Sequence, residues 1–184
     1  MLYTRKGDNG TTKTFGCDQR ISKSSAIAEA LGSLDEINSF LGICKVKSEK
    51  EKLMLTDGTS FAKIVHEVQK NLFIIQAEIA GSKMSITEDK IKEIEKIVDE
   101  IEKELPPIKT FFISGGSEIA TFFDIARTIA RRAERRVIGV TDEGKIKISD
   151  NTCAYLNRLS SLLYALARLT NHKFGINEEG PDYK

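Results

Sequence analysis

The chain has 184 residues, with 28 Lys and Arg against 27 Asp and Glu and a formal net charge of +1. This balance argues against a non-specific nucleic-acid binder, which usually carries a large positive charge. The length suits one domain with a real core, which we expect over residues 1–184. The three cysteines (Cys17, Cys44 and Cys153) lie far apart, and no signal-peptide pattern or membrane-length apolar run is present. We therefore expect a soluble cytoplasmic protein with reduced cysteines.

Residues 3–16 differ from the rest of the chain because they are rich in Gly, Thr and charge and show no helical period. Backbone N–H groups and basic side chains of such a loop could cradle phosphates, although the G-x-x-x-x-G-K-[ST] motif is absent. The alternative is a β-hairpin that turns at Asp8-Asn9-Gly10, because Asn-Gly favours a type I′ turn. Both predictions can hold together, with a hairpin that presents a phosphate site. We assign residues 1–23 to this N-terminal segment.

Apolar residues recur at three- and four-residue steps from about Ser24 onward, which predicts two long amphipathic helices. A break falls at residues 53–60, where Thr-Asp-Gly-Thr is typical of a turn. Gly81 ends the second helix as a plausible C-cap. The apolar stripes are Ile27, Ala30, Leu31, Leu34, Ile37, Phe40 and Leu41 in the first helix and Phe61, Ile64, Val65, Val68, Leu72, Ile75 and Ile79 in the second.

Three further helices are predicted in the second half of the chain. Thr87 is a candidate N-cap, since acidic residues follow it where the helix dipole favours them. Pro106-Pro107 stops this third helix. The fourth helix begins after Ser114-Gly115-Gly116. The fifth runs from about Asp150 to Asn171, with apolar residues nearly all round its later half.

Five long helices with short connections predict an all-α, up-and-down five-helix bundle over residues 24–172, followed by a polar tail at 173–184. A helix bundle also raises the hypothesis of a di-iron carboxylate site, which needs Glu-x-x-His on two helices. His66 and His172 are the two histidines, and neither has a Glu three residues earlier. That hypothesis is therefore rejected.

Five arginines fall within ten residues of the predicted fourth helix. Arg127, Arg131 and Arg135 share one face at i, i+4 and i+8, and Arg132 and Arg136 flank it. Like charges at this spacing repel, and a concentrated anion would relieve the repulsion because guanidinium groups suit phosphate oxygens. One alternative is a solvated helix face in which Glu134 pairs with the arginines. A nucleic-acid site ranks lower, because interleaved aromatic residues are absent.

Several other positions carry two interpretations each. An exposed acidic pair is the default for Asp35 and Glu36, although Asp35 lies near the apolar stripe and would there need an arginine partner. Asn157 lies in an otherwise apolar helix, where a buried Asn needs hydrogen-bond partners. Phe111 and Phe112 would most often be core residues.

Four segments together resemble one family. They are Thr4 to Thr12 with T-R-x-G-D-x-G, Gly32 to Gly42, Ala126 to Arg135 with A-R-T-x-x-R-R-A-E-R, and Tyr155 to Ser160 with N-R-L-S. In this order and spacing, the chain resembles the PduO-type ATP:cob(I)alamin adenosyltransferases over nearly its whole length. The resemblance implies a five-helix bundle of ferritin-like topology that forms a homotrimer with active sites between subunits. It also implies transfer of the 5′-deoxyadenosyl group of ATP to the cobalt of cob(I)alamin, which gives adenosylcobalamin and triphosphate.

The same resemblance implies roles for individual residues. Arg127 would pair with Asp35 of a neighbouring subunit and so orient the site. A Phe below the corrin would exclude the lower axial ligand of cobalt; Phe111 matches that position best, and Phe112 is its near rival. ATP, with a required Mg²⁺, would be held by Thr4, Arg5, Lys6, Gly7, Thr12, Lys13 and Lys23 from the N-terminal region and by Arg131, Arg132, Glu134, Arg135 and Asn157 from the helices.

Three positions depart from the family pattern and bear on cobalamin contacts more than on ATP binding. Ser114 stands where the family commonly has Pro, Asp124 replaces a common His, and Ser161 replaces a common Asp. The alternative function is a non-catalytic trimeric bundle that binds a nucleotide or polyphosphate. If the chain is the enzyme, its product could be handed directly to an adenosylcobalamin-dependent enzyme.

Overall fold

The computed structural model describes residues 3–14, 19–144 and 146–183. Within these ranges the chain forms five helices and one small antiparallel sheet, which confirms the predicted all-α bundle. The strands β1 and β2 are Thr11–Thr12 and Ile21–Ser22. The helices are α1 Ala26–Lys50, α2 Phe61–Ile79, α3 Glu88–Glu104, α4 Glu118–Asp142 and α5 Asp150–Lys173.

Serine side chains start four of the helices. The hydroxyl oxygen of each accepts a hydrogen bond from the backbone N–H three residues later, which satisfies one of the unpaired donors of a helix N-terminus. The predicted cap Thr87 does precede α3, but its side chain makes no capping bond; Glu88 and Asp89 follow it in the first turn. The serine caps are Ser25, Ser60, Ser117 and Ser149.

Contacts between neighbouring helices show their relative directions. Glu36 and Lys47 of α1 contact Arg132 and Glu118 of α4, so later positions in α1 meet earlier positions in α4 and the two helices are antiparallel. The same reversed order relates α1 to α2 and α4 to α5, whereas α3 and α5 are parallel. The pairs are Asn38–Gln69 and Lys45–His66, Arg127–Tyr164 and Ser117–Asn171, and Glu95–Arg158 and Glu104–Lys173. The chain therefore runs alternately up and down, as predicted.

The helix α4, which carries the five arginines, lies between two other helices. It packs against both α1 and α5, while α2 packs on α1 and α3 packs on α5. The later half of α5 is buried almost all round, as its composition predicted, and its residues 165–171 are all buried. Because α4 has neighbours on two sides, its buried residues face α1 and α5, while Arg131 and Arg135 remain on the side that is open to solvent.

A buried carboxylate connects the end of α2 with the start of α5. Glu78 is 8% exposed, and its two oxygens accept hydrogen bonds from the backbone N–H of Ser149 at 2.8 Å and the hydroxyl of Thr152 at 2.5 Å. Leaving such a buried donor unpaired costs about 1–3 kcal/mol. The interaction therefore fixes the residue at which α5 begins.

The hairpin predicted at Asp8-Asn9-Gly10 is wrong, because the strands pair elsewhere. Residues 11–12 pair with residues 21–22, so the connection between the strands is the segment 13–20 and not the Asn-Gly turn. A type I′ turn needs positive φ at both central residues, but Gly10 has φ 76° and Asn9 does not have a positive φ. The Asn9 side chain instead accepts hydrogen bonds from the N–H and hydroxyl of Thr11, a local bond that competes with the hairpin turn.

The described cysteines are free thiols. Burial raises the pKa of Cys44 to about 12, and it also raises the pKa of the half-buried Cys153. Cys17 lies outside the described residues. None of the described helices combines the length and the apolar character needed to cross a membrane.

Candidate functional site

An open cleft of about 860 Å³ lies where α4 and α5 meet the loop that connects α3 to α4. It brings together Phe111, Phe112, Arg127 and Arg131, which the sequence predicted to belong to one site. Ser161, one of the noted departures, also lines it, as do Ile108, Lys109, Thr110, Ser114, Ser160, Tyr164 and Tyr183. The cleft thus combines aromatic surface with two guanidinium groups.

Four of the five arginines of α4 divide into two kinds. Arg132 and Arg136 form ion pairs with Glu36 and Glu29 of α1, so the solvated, paired alternative describes these two. Within the described part of the chain, Arg131 and Arg135 are exposed and form no ion pair. These two are therefore available to an anionic ligand.

Glu134 and Asn157 join α4 to α5 beside the arginines. The amide of Asn157 donates to the Glu134 carboxylate at 3.3 Å and accepts from Arg158 at 3.0 Å. Asn157 is exposed, so the condition of a buried Asn does not apply to it. Its polar partners are nevertheless those that such an amide needs.

Arg127 is the least exposed of the five arginines of α4 and lacks a close ion-pair partner. Its Nε atom is buried without a hydrogen bond and lies 4.0 Å from the Asp124 carboxylate. Its guanidinium lies 5.8 Å from the centre of the Tyr164 ring. Asp35 is exposed on α1, and the pairing implied for it lies between subunits rather than within one chain.

Asp124 and Asn171 hold the glycine loop that precedes α4, a role that the sequence did not reveal. The Asp124 carboxylate accepts from the Gly115 N–H at 3.1 Å. The Asn171 amide donates to the Gly115 carbonyl at 2.8 Å and accepts from the Ser117 N–H at 3.0 Å. The signal that the sequence offers is that Asp124 lies among apolar residues, where a carboxylate needs a partner. Its interaction with Gly115 shapes the loop that carries the two phenylalanines.

Gly116 has two reasons to be glycine. Its φ of 107° lies in the region that residues with a side chain rarely adopt. A Cβ atom at this position would also lie 2.4 Å from Oδ1 of Asn171. The close approach of this loop to α5 therefore depends on the missing side chain.

The two adjacent phenylalanines have different surroundings. Phe111 is 79% exposed and lies at the mouth of the cleft, so the interpretation of Phe111 as a core residue is wrong. Phe112 is half-buried, with the Arg168 guanidinium 4.9 Å from its ring centre. Of the two rings, that of Phe111 is therefore the more accessible to a ligand in the cleft.

The polar tail packs onto the same loop. The N–H of Ile113 donates to the carbonyl of Glu179 at 2.8 Å, and Arg168 forms an ion pair with Glu178 at 2.8 Å. Tyr183 then reaches the lining of the cleft. The tail therefore contributes to the site, although its sequence gave no such signal.

Arg20 organises the N-terminal segment and was not among the predicted site residues. Its guanidinium donates to the hydroxyl of Thr11 at 2.6 Å, to the Thr11 carbonyl at 2.8 Å and to the carbonyl of Lys6. Arg5 has a positive φ of 57°, which is uncommon for a residue with a side chain. The loop is thus held in one shape by contacts with residues 20–23.

The structure places the residues predicted for ATP in two groups. Lys23 lies beside Gly7, since its Nζ would be 3.1 Å from a Cβ atom there, so its expected place in the loop agrees with the geometry. The exposed members of the N-terminal group are Thr4, Arg5, Lys6, Lys13 and Lys23, and Gly7 and Thr12 are half-buried. The second group lies on α4 and α5.

Comparisons with known proteins all point to the same family. A sequence model described as cobalamin adenosyltransferase matches residues 2–170. The chain is 35% identical over 178 residues to the corrinoid adenosyltransferase PduO of Citrobacter freundii, with 93% of this chain and 50% of that protein covered. It is 34% identical to the corrinoid adenosyltransferase of Bacillus subtilis, with 96% and 90% covered. The chain therefore spans about half the length of the PduO relative and most of the Bacillus one.

A solved structure has the same fold over the full chain. A Phe-to-His variant of the PduO-type ATP:corrinoid adenosyltransferase from Lactobacillus reuteri, complexed with cobalamin and ATP, superposes with a TM-score of 0.87 at 26% identity. The alignment covers 100% of this chain and 97% of that one.

The environment of Asp124 predicts a pH-dependent stability. Burial raises the pKa of this carboxyl above its ordinary value of 3.8, against the opposing effects of the Gly115 N–H and Arg127. A carboxyl with a raised pKa in the folded state costs stability as the pH rises through that pKa. We expect Asp124→Asn to remove this cost, so its free energy of unfolding relative to wild type should increase between about pH 3 and about pH 7. Urea denaturation at several pH values measures this difference.

Asp142→Asn, at an exposed aspartate of the same helix, is the matched control. A difference between Asp124→Asn and wild type that did not change with pH would contradict the assignment of Asp124 as a buried, destabilised carboxylate.

Proposed function

Because the chain belongs to the cobalamin adenosyltransferase family, we propose that it transfers the 5′-deoxyadenosyl group of ATP to the cobalt of cob(I)alamin. The products are adenosylcobalamin and triphosphate. The observation that carries this proposal is the cleft that both the exposed Phe111 and Arg131 of α4 line. An aromatic surface for a large flat ligand and a cation for a phosphate chain thus belong to one cleft.

The chemistry requires positioning rather than covalent catalysis. The electron pair of Co(I) forms the new cobalt–carbon bond, and the bond from the 5′-carbon to the triphosphate oxygen breaks with its electrons on that oxygen. The protein holds the two reactants in line. Arg131 and Arg135, which lack ion-pair partners among the described residues, stabilise the negative charge that collects on the leaving triphosphate.

The N-terminal segment supplies the rest of the nucleotide site in this proposal. Backbone N–H groups around Gly7 and the cations nearby hold the phosphates, and Glu134 with Asn157 contacts the nucleotide between α4 and α5. Arg132 pairs with Glu36, and when ATP binds it contacts the nucleotide in place of Glu36 or in addition to it. The remaining nucleotide contacts come from Thr4, Arg5, Lys6, Thr12, Lys13 and Lys23, so that residues 1–23 form the nucleotide-binding part of one domain.

Mg²⁺ fits this site as an ion bound mainly by the phosphates. Among residues 3–14, 19–144 and 146–183, no three His, Cys, Asp or Glu side chains are grouped to hold a metal. Mg²⁺ is usually bound by one or two carboxylates together with substrate phosphates and water. Glu134 is the carboxylate placed beside the arginines to supply such a contact. The ion would neutralise charge on the triphosphate.

The phenylalanines act on the corrin in this proposal. Phe111 lies against the lower face of the ring and keeps the lower axial ligand away from cobalt, while Phe112 supports the loop from below. The exposure of Phe111 at the cleft mouth and the contact of Phe112 with Arg168 support this division.

A homotrimer with sites between subunits completes the proposal. The buried Nε of Arg127 has no hydrogen bond among the described residues, and the Asp124 carboxylate is as far as 4.0 Å from it, which leaves a buried donor unsatisfied. Asp35 from a neighbouring copy, exposed on α1, would pair with it. We place the enzyme in the cytoplasm, where Co(I) can be maintained, and propose that its product passes to an adenosylcobalamin-dependent enzyme.

An anaerobic assay tests the reaction directly. Wild-type protein, Mg-ATP and chemically reduced cob(I)alamin should give adenosylcobalamin, followed by the change in its absorption spectrum. Arg131→Ala should lower kcat by about 10²–10³-fold, because one preorganised donor to the developing charge is lost. Arg136→Ala is the control, since Arg136 is paired with Glu29 on the flank of the helix, and it should retain wild-type activity.

Failure of the wild-type protein to form product, with ATP still bound tightly, would overturn the enzyme and leave the non-catalytic nucleotide-binding bundle.

We expect the exposed ring of Phe111 to be important for turnover with cobalamin. We expect Phe111→Ala to lower kcat with cobalamin by at least about tenfold, since the lower ligand is then free to return to cobalt. Ile113→Ala, at a residue of the same loop that is 60% exposed and outside the cleft lining, is the control. Equal effects of the two substitutions in the same assay would argue against a role for the Phe111 ring.

Mixed trimers test the pairing between subunits. Asp35→Ala and Arg127→Ala should each be inactive alone. Random co-assembly should restore about a quarter of the sites, because a subunit with intact Asp35 then meets one with intact Arg127 at one interface in four. Activity of co-expressed protein, compared with a mixture of the separately purified variants, measures the recovery. No recovery on co-expression would mean that the two residues do not meet across an interface.

A further inference from the structure

Arg168 is a buried cation that lies against Phe112, one of the residues lining the cleft. Its side chain is 6% exposed, and its Nε donates to the Glu178 carboxylate at 2.8 Å. A second nitrogen donates to the carbonyl of Pro106 at 3.4 Å, and the guanidinium lies over the ring of Phe112 at 4.9 Å. One side chain therefore contacts the start of the loop, one of its two phenylalanines and the C-terminal tail.

These contacts join segments that are far apart in the chain. Arg168 belongs to α5, the loop between α3 and α4 contains Pro106 and Phe112, and Glu178 lies in the tail. A backbone hydrogen bond from Ile113 to Glu179 runs alongside the ion pair. The loop is consequently held from its first residue to the one just after its phenylalanines.

A buried ion pair of this kind is a weak source of stability, because desolvation offsets most of the attraction between the charges. Its directional hydrogen bonds instead fix geometry. What they fix here is the loop, since holding Phe112 against α5 leaves its neighbour Phe111 pointing into the cleft.

The tail lies beyond the part of the chain that matches the family model, which ends at residue 170. Arg168 is inside that part, and its acidic partner Glu178 is outside it. The pair thus ties the part of the bundle that matches the family model to the C-terminal tail.

We propose that Arg168, paired with Glu178, is a positioning residue that holds the phenylalanine loop in its cobalamin-binding shape. This inference rests on the proposed adenosyltransferase function. It assigns no contact with substrate to Arg168; the residue acts through Phe112 and the tail.

The test uses Glu178→Gln and Arg168→Lys in the full-length protein. Glu178→Gln removes the ion pair at its less buried partner, and Arg168→Lys keeps the buried charge but loses the planar fork that spans Phe112, Pro106 and Glu178. Glu104→Gln is the matched control, because Glu104 forms the neighbouring ion pair with Lys173 at 3.3 Å and does not contact the loop's phenylalanines. Two readouts are needed: steady-state kinetics, and amide hydrogen exchange of residues 108–116 without any ligand.

We expect faster exchange in residues 108–116 for both variants, and a kcat/KM for cob(I)alamin lowered by about 10–100-fold with the KM for ATP unchanged, since a misplacement of about 1 Å costs rates of this order. Exchange and kinetics equal to those of Glu104→Gln would overturn the positioning role. An equal rise in the KM values of both substrates would overturn it too, because a general loss of structure is then sufficient. If wild-type protein makes no adenosylcobalamin, the proposed function fails, and hydrogen exchange alone still decides whether Arg168 holds the loop.

Discussion

The small side chains on the buried face of α4 are the constraint on which the site depends. Ala126, Ala130 and Ala133 are at most 1% exposed, and they let α1 and α5 pack close to the helix on either side. Because this face is occupied by packing against the two neighbouring helices, Arg131 and Arg135 lie on the side of α4 that is open to solvent. The concentration of arginines on one accessible surface is thus a consequence of how the bundle packs.

The sequence predicts the parts of this protein that are periodic. The apolar stripes of α1 and α2 and the arginine spacing of α4 follow from 3.6 residues per turn, and all of them appear as expected. The hairpin at Asn9-Gly10 failed because a local side-chain bond from Asn9 to Thr11 competes with the turn that this dipeptide usually forms. Turn propensity alone does not show whether the Asn-Gly turn or the bond between Asn9 and Thr11 forms.

The loop that carries Phe111 and Phe112 could not be predicted in the same way. Its shape depends on Asp124 of α4 and on Asn171 and Arg168 of α5, and the two α5 residues lie far along the chain from the loop. In the sequence, Asp124 stood out only as a departure from the family pattern, and Asn171 and Arg168 occupied ordinary helix positions. Which residue pairs with which is settled only when the helices are packed, since the contacts are long-range. The arginines could therefore be assigned from sequence, whereas the support of the phenylalanines could not.

The close approach of Gly116 to Asn171 limits how this protein can change over evolutionary time. Two separate obstacles exclude a side chain at position 116: the positive φ of 107° and the Oδ1 atom of Asn171 at 2.4 Å from a Cβ there. A shorter residue at 171 would remove one obstacle and leave the other, and it would also release the Gly115 carbonyl and the Ser117 N–H. A single substitution at either position therefore disturbs the loop, and a side chain at position 116 would need a change of backbone as well as a change at position 171.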